Sequence, residues 1–323
     1  MPEIELLAVG AVAAVFALVN GVNDGSTLVA SGLKVPVIRP LVAAALLAAA
    51  AALVPLAVGT AVAQTFAGRL VAFDSDGAPI AVLGVVGATV VVIMLARRGL
   101  PTSLTLAVIG GLTGAGLAAG LAVSWTTVAV VLALAGLAPM VGGVLAFLVL
   151  RSAGRAVGLG SRAAVVRRLH VAGFALQCVA YGANDGQKML AVFAVALGVG
   201  LGREPGELWV YASVFVLFLA GALAGLRRFS VTVSSGVLAS RPIHSVSATI
   251  SASLAVLTAS LAGSPVSMTQ ALTGGLIGSG MSESAYRIRW HLARSIAVAW
   301  IVTLPAALFG GYGLGLLGMV VMT

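Results

Sequence analysis

The stretch NGVNDG, residues 20–25, lies inside a long apolar run near the start of the chain. The residues before it are IELLAVGAVAAVFALV, and the residues after it are STLVASGL. Asparagine, aspartate and glycine are poor helix formers, and an ionisable aspartate is costly to place in hydrocarbon. Two amides, a carboxylate and two glycines in such a run therefore indicate a special structural or functional role.

The composition is that of a membrane protein with several spans. The 323 residues are 60% hydrophobic and only 8% charged, and the mean hydropathy is +1.15. In soluble proteins about a quarter of the residues are charged. Long apolar runs follow one another without the period-2 alternation of a β-barrel, so they predict an all-α polytopic fold. The net charge of +9 lies in short basic clusters at the ends of these runs, which fits membrane topology rather than nucleic-acid binding.

The chain contains an internal duplication. NGVNDG has a second copy, YGANDG, at residues 181–186, and GLPTSLTLAVIGGLTGAG at 99–116 matches GSPVSMTQALTGGLIGSG at 263–280. A weaker pair is LAGLAP at 134–139 and WIVTLP at 300–305. The matches come in the same order at offsets of 161 to 166 residues, which indicates a repeat of half the chain.

This duplication divides the chain into a first repeat over residues 1–150, a basic cytoplasmic linker over 151–168 and a second repeat over 169–323. Placing all five basic clusters in the cytoplasm puts the N-terminus outside. The ten predicted crossings then lie at residues 4–38, 41–65, 78–96, 100–121, 124–150, 168–202, 207–226, 243–262, 264–282 and 288–318.

Each repeat crosses the membrane five times in this assignment. Because five is odd, the two repeats run antiparallel, as in the inverted-topology repeats of many secondary transporters. The crossings at 100–121 and 264–282 are Gly-rich, and alternatively they form re-entrant hairpins, which would change the count.

The two N-D-G copies lie near the centres of their runs. The first run, with 35 residues, would be about 52 Å long as one helix, against about 30 Å of hydrocarbon, so it must bend, break or project. A broken helix exposes backbone groups that must line a cavity or be buried in protein. Asp24 and Asp185, with the amides of Asn23 and Asn184, suit a small hard cation such as Na⁺, or a proton. Alternatively, these polar residues only hold helices together.

The second duplicated motif is P-x-S-x-T, which contributes Ser103 and Thr105 in the first copy and Ser267 and Thr269 in the second. Proline, serine and threonine are common at helix starts. The first turn of a helix offers unpaired N–H groups and the positive end of the dipole, which favours an anion. Two such helix starts meeting near the midplane would bind a tetrahedral oxyanion. The alternative is ordinary helix capping.

Gln187 and Lys188 follow the second N-D-G copy, where the first copy has Ser26 and Thr27. Three interpretations of Lys188 remain open at this point. The lysine is a counter-charge for an anion, a partner of Asp185, or a side chain that snorkels to the membrane surface.

The N-D-G stretches resemble the two G-A-N-D signatures of the inorganic phosphate transporter (PiT) family, and the P-x-S-x-T stretches resemble its duplicated G-L-P-V-S-T-T-H. The resemblance implies a secondary active transporter that moves phosphate with Na⁺ or H⁺ by alternating access. Some members of that family instead carry sulfate or metal–phosphate complexes. The resemblance implies a site made of ten residues, which are Asn23, Asp24, Ser103, Thr105, Asn184, Asp185, Gln187, Ser267, Thr269 and Gln270.

Several positions depart from the family pattern. Leu104 and Met268 replace one hydroxyl in each copy, and Leu106 and Gln270 replace histidine. The chain also lacks membrane glutamates that sodium-coupled members carry, with Gln64 at one such position. These differences leave the coupling ion, Na⁺ or H⁺, open.

We therefore expect a multi-pass protein of a bacterial cytoplasmic membrane that is not an enzyme. Its expected partners are phosphate, a coupling cation and the lipid bilayer, and no nucleic acid. The expected bound ions are limited to Na⁺ at Asp24 and Asp185, with no other cofactor. The resemblance is also compatible with a homodimer. The alternatives are a sulfate or other oxyanion symporter, a passive anion channel, and an intramembrane aspartyl hydrolase, although neither aspartate has the G-x-G-D-type signature of that class.

Overall fold

The structure is a computed structural model that describes residues 3–73, 77–98, 102–156, 162–197, 206–229, 237–238 and 241–322. These residues are almost entirely helical, and two isolated β-bridges join loops. Pro101, the start of the first P-x-S-x-T copy, lies outside the described residues.

The helices of the first half are α1 (Glu3–Asn20), α2 (Ser26–Gly32), α3 (Pro40–Val58), α4 (Ala61–Gln64), α5 (Ala78–Arg97), α6 (Leu104–Ala118) and α7 (Trp125–Ala156). Two π-helical segments complete this half. The segment Gly21–Gly25 joins α1 to α2, and Thr65–Arg69 follows α4.

The helices of the second half are α8 (Arg162–Tyr181), α9 (Gln187–Ala196), α10 (Leu208–Phe229), α11 (Pro242–Leu261), α12 (Met268–Met281) and α13 (Trp290–Met322). The π-helical segment Gly182–Gly186 joins α8 to α9, and a short 3₁₀ turn, Ala285–Arg287, precedes α13. Most of the predicted linker is helical, because α7 extends to Ala156 and α8 begins at Arg162.

Within the described residues, eight helices are long and apolar enough to span a membrane, which confirms a multi-pass helical protein. They are Val9–Gly32, Pro40–Val58, Ala78–Arg97, Trp125–Ser152, Ala163–Ala196, Leu208–Arg227, Pro242–Leu261 and Trp290–Val321. Each coincides with a predicted crossing. The two remaining crossings, 100–121 and 264–282, contain the short helices α6 and α12 of 15 and 14 residues. At 1.5 Å per residue these helices are about 20 Å long and cannot span the bilayer alone.

The helix is not broken at either N-D-G copy, which corrects that detail of the sequence interpretation. Residues 20 to 26 keep helical dihedral angles, and the turn widens into a π-helix at Gly21–Gly25, as it does at Gly182–Gly186. Such turns occur mostly inside α-helices and often at functional sites. A widened turn avoids the cost of a complete break, which would leave several buried peptide groups without partners.

The two β-bridges occupy corresponding places in the two halves. Val71, in the loop before α5, pairs with Val123 after α6. Leu238, in the loop before α11, pairs with Ile288 after α12. The C-terminal end of α6 therefore lies beside the loop that precedes α5, and the C-terminal end of α12 lies beside the loop that precedes α11. Each chain segment from α5 to Val123 and from α11 to Ile288 thus returns to the side from which it started.

The glycines of the N-D-G copies are sites of close helix packing between the halves. A Cβ atom on Gly21 would overlap the carbonyl oxygen of Phe218 in α10. A Cβ atom on Gly182 would overlap the carbonyl oxygen of Ala50 in α3. Each copy therefore packs on the second long helix of the opposite half, and only glycine allows this approach.

The short helices also pack across the halves. A Cβ atom on Gly114 of α6 would overlap the carbonyl oxygen of Leu308 in α13. A Cβ atom on Gly278 of α12 would overlap the carbonyl oxygen of Gly143 in α7. Small residues at such crossings are typical of helix packing in membranes. The proline-containing segments that the third sequence match identified, around Pro139 and Pro305, lie inside these two long partner helices.

We predict that Gly278→Ala lowers stability, because the added methyl group displaces the α7 backbone. Overpacking of this kind costs about 1–3 kcal/mol. The matched control is Gly136→Ala on α7, where a Cβ atom meets nothing within 4 Å. Thermal unfolding in detergent measures both variants. Equal melting temperatures for the two variants would contradict the close packing of α12 on α7.

Candidate functional site

The two N-D-G copies lie side by side in the interior. Asn20 is the first residue of the first copy, and Tyr181 is the first residue of the second. The Tyr181 hydroxyl donates a hydrogen bond of 2.8 Å to Oδ1 of Asn20. Asp24 interacts electrostatically with Asp185 and with Lys188. All five of these side chains are buried. The fold therefore brings the two predicted carboxylates together.

Asn23 ties the first copy to the start of α6. Its Nδ2 donates to the carbonyl oxygen of Thr102 at 2.9 Å, and its Oδ1 accepts from the Thr102 N–H at 3.3 Å. The same Nδ2 donates to Oδ1 of Asp24 at 2.7 Å. The Thr102 hydroxyl also hydrogen-bonds the Thr303 hydroxyl in α13. The amide thus fixes the chain that enters α6.

Asn184 has a related position in the second copy. Its Nδ2 donates to the Ser260 hydroxyl at 2.7 Å and more weakly to the Ser264 carbonyl oxygen at 3.4 Å. Ser260 lies in the last turn of α11, and Ser264 lies in the segment between α11 and α12. Asn23 therefore bonds to the first P-x-S-x-T copy, and Asn184 bonds to residues just before the second copy in its own half.

The N-termini of the short helices meet at this place. Ser103 caps α6 by accepting from the Leu106 N–H at 3.3 Å, and Ser267 caps α12 by accepting from the Gln270 N–H at 3.4 Å. Helix capping, one of the two interpretations of the motif, is therefore present. Thr105 Oγ1 then donates to the Val266 carbonyl oxygen at 3.1 Å, which joins the two helix ends directly.

Lys188 lies between the two helix ends and the second carboxylate. Its Nζ is 2.7 Å from Asp185 Oδ1, 2.7 Å from Thr105 Oγ1 and 2.9 Å from the Val266 carbonyl oxygen. Its side chain has no exposed surface. Of the three interpretations that the sequence left open, the structure supports the pairing with Asp185, and the snorkelling interpretation is wrong. The contacts to Thr105 and Val266 also place this ammonium at the two helix starts.

Several buried acceptors around the second helix end have no hydrogen-bond partner among the described residues. They are Asn184 Oδ1, Asp185 Oδ2 and Gln270 Oε1. A buried polar atom without a partner costs about 1–3 kcal/mol. These atoms are therefore available to a bound ligand that carries a proton or a positive charge.

Gln187 does not join this group of acceptors. Its Oε1 accepts from the N–H groups of Val62 and Ala63 at 2.9 and 3.2 Å, and its Nε2 donates to the Ala183 carbonyl oxygen at 2.7 Å. Gln187 thus caps the N-terminus of α4. Its polar atoms are used by the protein itself, which leaves none directed at the carboxylates.

The sequence leaves the role of Lys188 open and does not identify Thr102. The only signal for Lys188 was its position three residues after Asp185, which places both on one face of a helix. The contacts to Thr105 and Val266 come from distant segments and leave no trace in local spacing. Thr102 acts mainly through its backbone, which any residue type could supply.

No cluster of three or more His, Cys, Asp or Glu side chains that could bind a metal ion occurs in the described part of the chain. A cation at this site would therefore bind carboxylate, hydroxyl and carbonyl oxygens, as a hard ion does.

A cavity of about 720 Å³ lies away from this site, at the ends of α7, α8 and α11. Its charged lining residues are Arg151, Arg167, Arg241 and Glu283. Arg241 and Arg287 both pair with Glu283. Three arginines and one glutamate thus line this cavity, and an excess of positive charge favours the approach of anions.

The chain is similar to known transporters along nearly its whole length. The model of the phosphate transporter family matches residues 20–164 and 159–311. A protein of Mycobacterium bovis described as a "probable low-affinity inorganic phosphate transporter" is 34% identical over 96% of this chain and 77% of its own length. A protein of Rhizobium meliloti with the same description is 30% identical over 92% of this chain and 91% of its own length.

A solved structure described as "The sodium-dependent phosphate transporter" has the same fold. The TM-score is 0.81 with 15% sequence identity, over 99% of this chain and all of the other. The matched family and the relatives are described as transporters, which confirms the expectation of a transporter rather than an enzyme. The chain belongs to the phosphate transporter family.

Proposed function

We propose that this protein is a secondary transporter that moves inorganic phosphate across a bacterial cytoplasmic membrane together with a cation, by alternating access. The observation that carries the proposal is the meeting of two short-helix N-termini beside two buried carboxylates. One element can bind an anion and the other can bind its coupling cation. Neither would bind its ion as well alone, because each ion reduces the electrostatic cost of the other.

The anion binds at the two helix starts in this proposal. The first N–H groups of α6 and α12 have no acceptor within their own helix, and both dipoles place positive charge there. The hydroxyls of Ser103, Thr105, Ser267 and Thr269 lie at these two helix starts and are buried. Asn23 and Asn184 hold the segments that lead into the helices. This arrangement is the general anion site of helix N-termini, present twice.

The unpaired acceptors favour phosphate over sulfate. Dihydrogen and monohydrogen phosphate carry protons that they can donate to Asn184 Oδ1, Asp185 Oδ2 or Gln270 Oε1, whereas sulfate has no proton at neutral pH. A site that leaves a buried acceptor unpaired rejects the ligand that cannot satisfy it. The relatives of this chain are described as inorganic phosphate transporters, which agrees with this argument.

The coupling cation binds at the N-D-G copies in this proposal. When both are ionised, Asp24 and Asp185 carry two negative charges, and Lys188, which pairs with Asp185, supplies one positive charge. Adding a phosphate anion to this cluster leaves a net negative charge in a buried site. A sodium ion or a proton at Asp24 removes part of that excess, so anion and cation would enter together.

Alternating access follows from an inverted arrangement of the halves in this proposal. The segments 102–118 and 264–281 each complete a crossing as an extended entry followed by a short helix. Three long spans then separate Val123 from Leu238, so the two β-bridges lie on opposite sides of the membrane. The N-terminus is outside, and the cavity near Arg151 opens to the cytoplasm. Movement of one repeat against the other would expose the central site to each side in turn.

We predict gradient-driven phosphate uptake by the purified protein in proteoliposomes. An inward Na⁺ gradient or an inward proton gradient should concentrate labelled phosphate inside the vesicles, and the gradient that does so identifies the coupling ion. A passive channel would only equilibrate phosphate. Failure of both gradients to concentrate phosphate would contradict the proposal.

We predict that Asp24→Asn reduces this uptake at least tenfold. The variant removes the charge that attracts the cation while it keeps the size of the side chain. One charge-assisted contact contributes about 1.5–3 kcal/mol, which corresponds to about tenfold or more in binding. Ser295→Ala is the control, because Ser295 is exposed and bonds only to His291 of its own helix. Wild-type uptake by Asp24→Asn would show that Asp24 is not part of the coupling site.

We predict that unlabelled arsenate competes strongly with labelled phosphate, and that sulfate competes weakly. Arsenate shares the tetrahedral shape and the protons of phosphate, whereas sulfate lacks the protons. The measurement is the concentration of each anion that halves phosphate uptake at constant ionic strength. Equal inhibition by sulfate and arsenate would favour a general oxyanion carrier instead.

We predict that positions 208 and 286 face opposite sides of the membrane. Leu208 and Tyr286 are 82% and 98% exposed, and the chain has a single cysteine, the buried Cys178. In a Cys178→Ala background, Leu208→Cys should react with an impermeant maleimide from outside, and Tyr286→Cys only from the cytoplasmic side. If the short helices were hairpins that do not cross, both positions would react from the same side.

A further inference from the structure

The ammonium group of Lys188 occupies an arrangement of oxygens that is typical of a bound cation. A carboxylate oxygen of Asp185, the hydroxyl of Thr105 and the carbonyl oxygen of Val266 surround Nζ at 2.7 to 2.9 Å. The three oxygens come from the second N-D-G copy, from the first turn of α6 and from the segment before α12. Carboxylate, hydroxyl and carbonyl oxygens are the ligands of hard cations in proteins.

The environment of Nζ leaves it without a free donor. A lysine ammonium has three N–H groups, and each of the three oxygens accepts one of them. The ring of Phe66, whose centroid is 5.7 Å from Nζ, provides a further favourable contact. Lys188 could donate to an anion only after breaking one of these bonds. Its contacts therefore match a cation that holds the site together rather than a side chain that waits for phosphate.

The first half has no such group. The position that corresponds to Lys188, three residues after the acid, is Thr27. Its hydroxyl donates to the Asn23 carbonyl oxygen of its own helix at 2.9 Å. Among the described residues, Asp24 has the Asn23 amide as its hydrogen-bond partner and has no ion-pair partner. One acid is thus paired directly with an ammonium, and the other is not.

We infer that the ammonium of Lys188 is a built-in cation that fills the cation position of the second half, so that the exchangeable coupling cation binds only at Asp24. This inference rests on the proposed function for the role of Asp24. The occupancy of the second position by Lys188 is independent of transport. A tethered ammonium is not transported, so it would contribute charge to anion binding without being exchanged with solution.

The experiment replaces Lys188 by Thr, the residue at the corresponding position of the first half. Removal of the ammonium leaves Asp185, Thr105 and Val266 as an empty oxygen site that a sodium ion can enter. Binding of ²²Na⁺ to the purified protein in detergent should rise by one ion per chain relative to wild type. Lys34→Thr is the matched control, because Lys34 is the only other lysine of the chain and lies outside the spans. This control should leave sodium binding unchanged.

A Lys188→Thr protein that is folded by size-exclusion chromatography but binds no additional sodium overturns the inference. A wild-type measurement keeps the test decisive if the variant does not fold. Wild-type protein should bind at most a single sodium ion, since Lys188 fills the second position. Two or more sodium ions bound together by wild type would therefore also overturn it.

The outcomes also separate this inference from the proposed function. If wild type fails to concentrate phosphate under any gradient, the proposed function fails, yet the sodium-binding comparison still tests the role of Lys188. If uptake succeeds and Lys188→Thr loses phosphate binding without gaining sodium, Lys188 is an anion ligand and the inference is wrong. If uptake succeeds and the variant gains sodium dependence, both stand.

Discussion

The burial of two carboxylates next to each other is the constraint on which the site depends. Asp24 and Asp185 are almost completely buried in a protein whose surroundings are hydrocarbon. Such charges persist only with compensating partners, because desolvation of an isolated ion costs several kcal/mol. The protein supplies an amide to Asp24 and an ammonium to Asp185. The remaining negative charge provides a physical reason to bind a cation.

Helices of each half pack on helices of the other half, and this packing brings the charged groups of Asp24, Asp185 and Lys188 together. Each N-D-G copy packs on a long helix of the opposite half through Gly21 or Gly182, and each short helix does the same through Gly114 or Gly278. The close approach leaves no room for side chains at these crossings, so the backbones of the two halves are in direct contact there. The site therefore lies on the interface of the two halves, where relative movement would change its access.

The sequence predicts the helices and their order better than the contacts between them. Duplication and hydropathy give the order of the spans, because both depend on local patterns of residues. The spatial proximity of Asp24 and Asp185 follows from the repeat. The π-helical turn was not predicted, because the choice between a widened and a broken helix depends on the surrounding packing. Gln187 is one of the ten site residues that the resemblance implies, but its side-chain carbonyl oxygen accepts from the start of α4, which the linear spacing does not indicate.

The difference between the two halves determines how a gradient could do work. A duplicated chain begins with two equivalent acids, and two equivalent sites would each exchange a cation with solution. Lys188 removes this equivalence, because its ammonium is covalently attached three residues from Asp185. A ligand drives a conformational equilibrium only through its different affinity for the two states, and a permanently bound group cannot be concentrated on one side. In the proposed mechanism the energy of an ion gradient would then act through Asp24, while Asp185 and Lys188 would be a fixed support for the helix ends that would bind the anion.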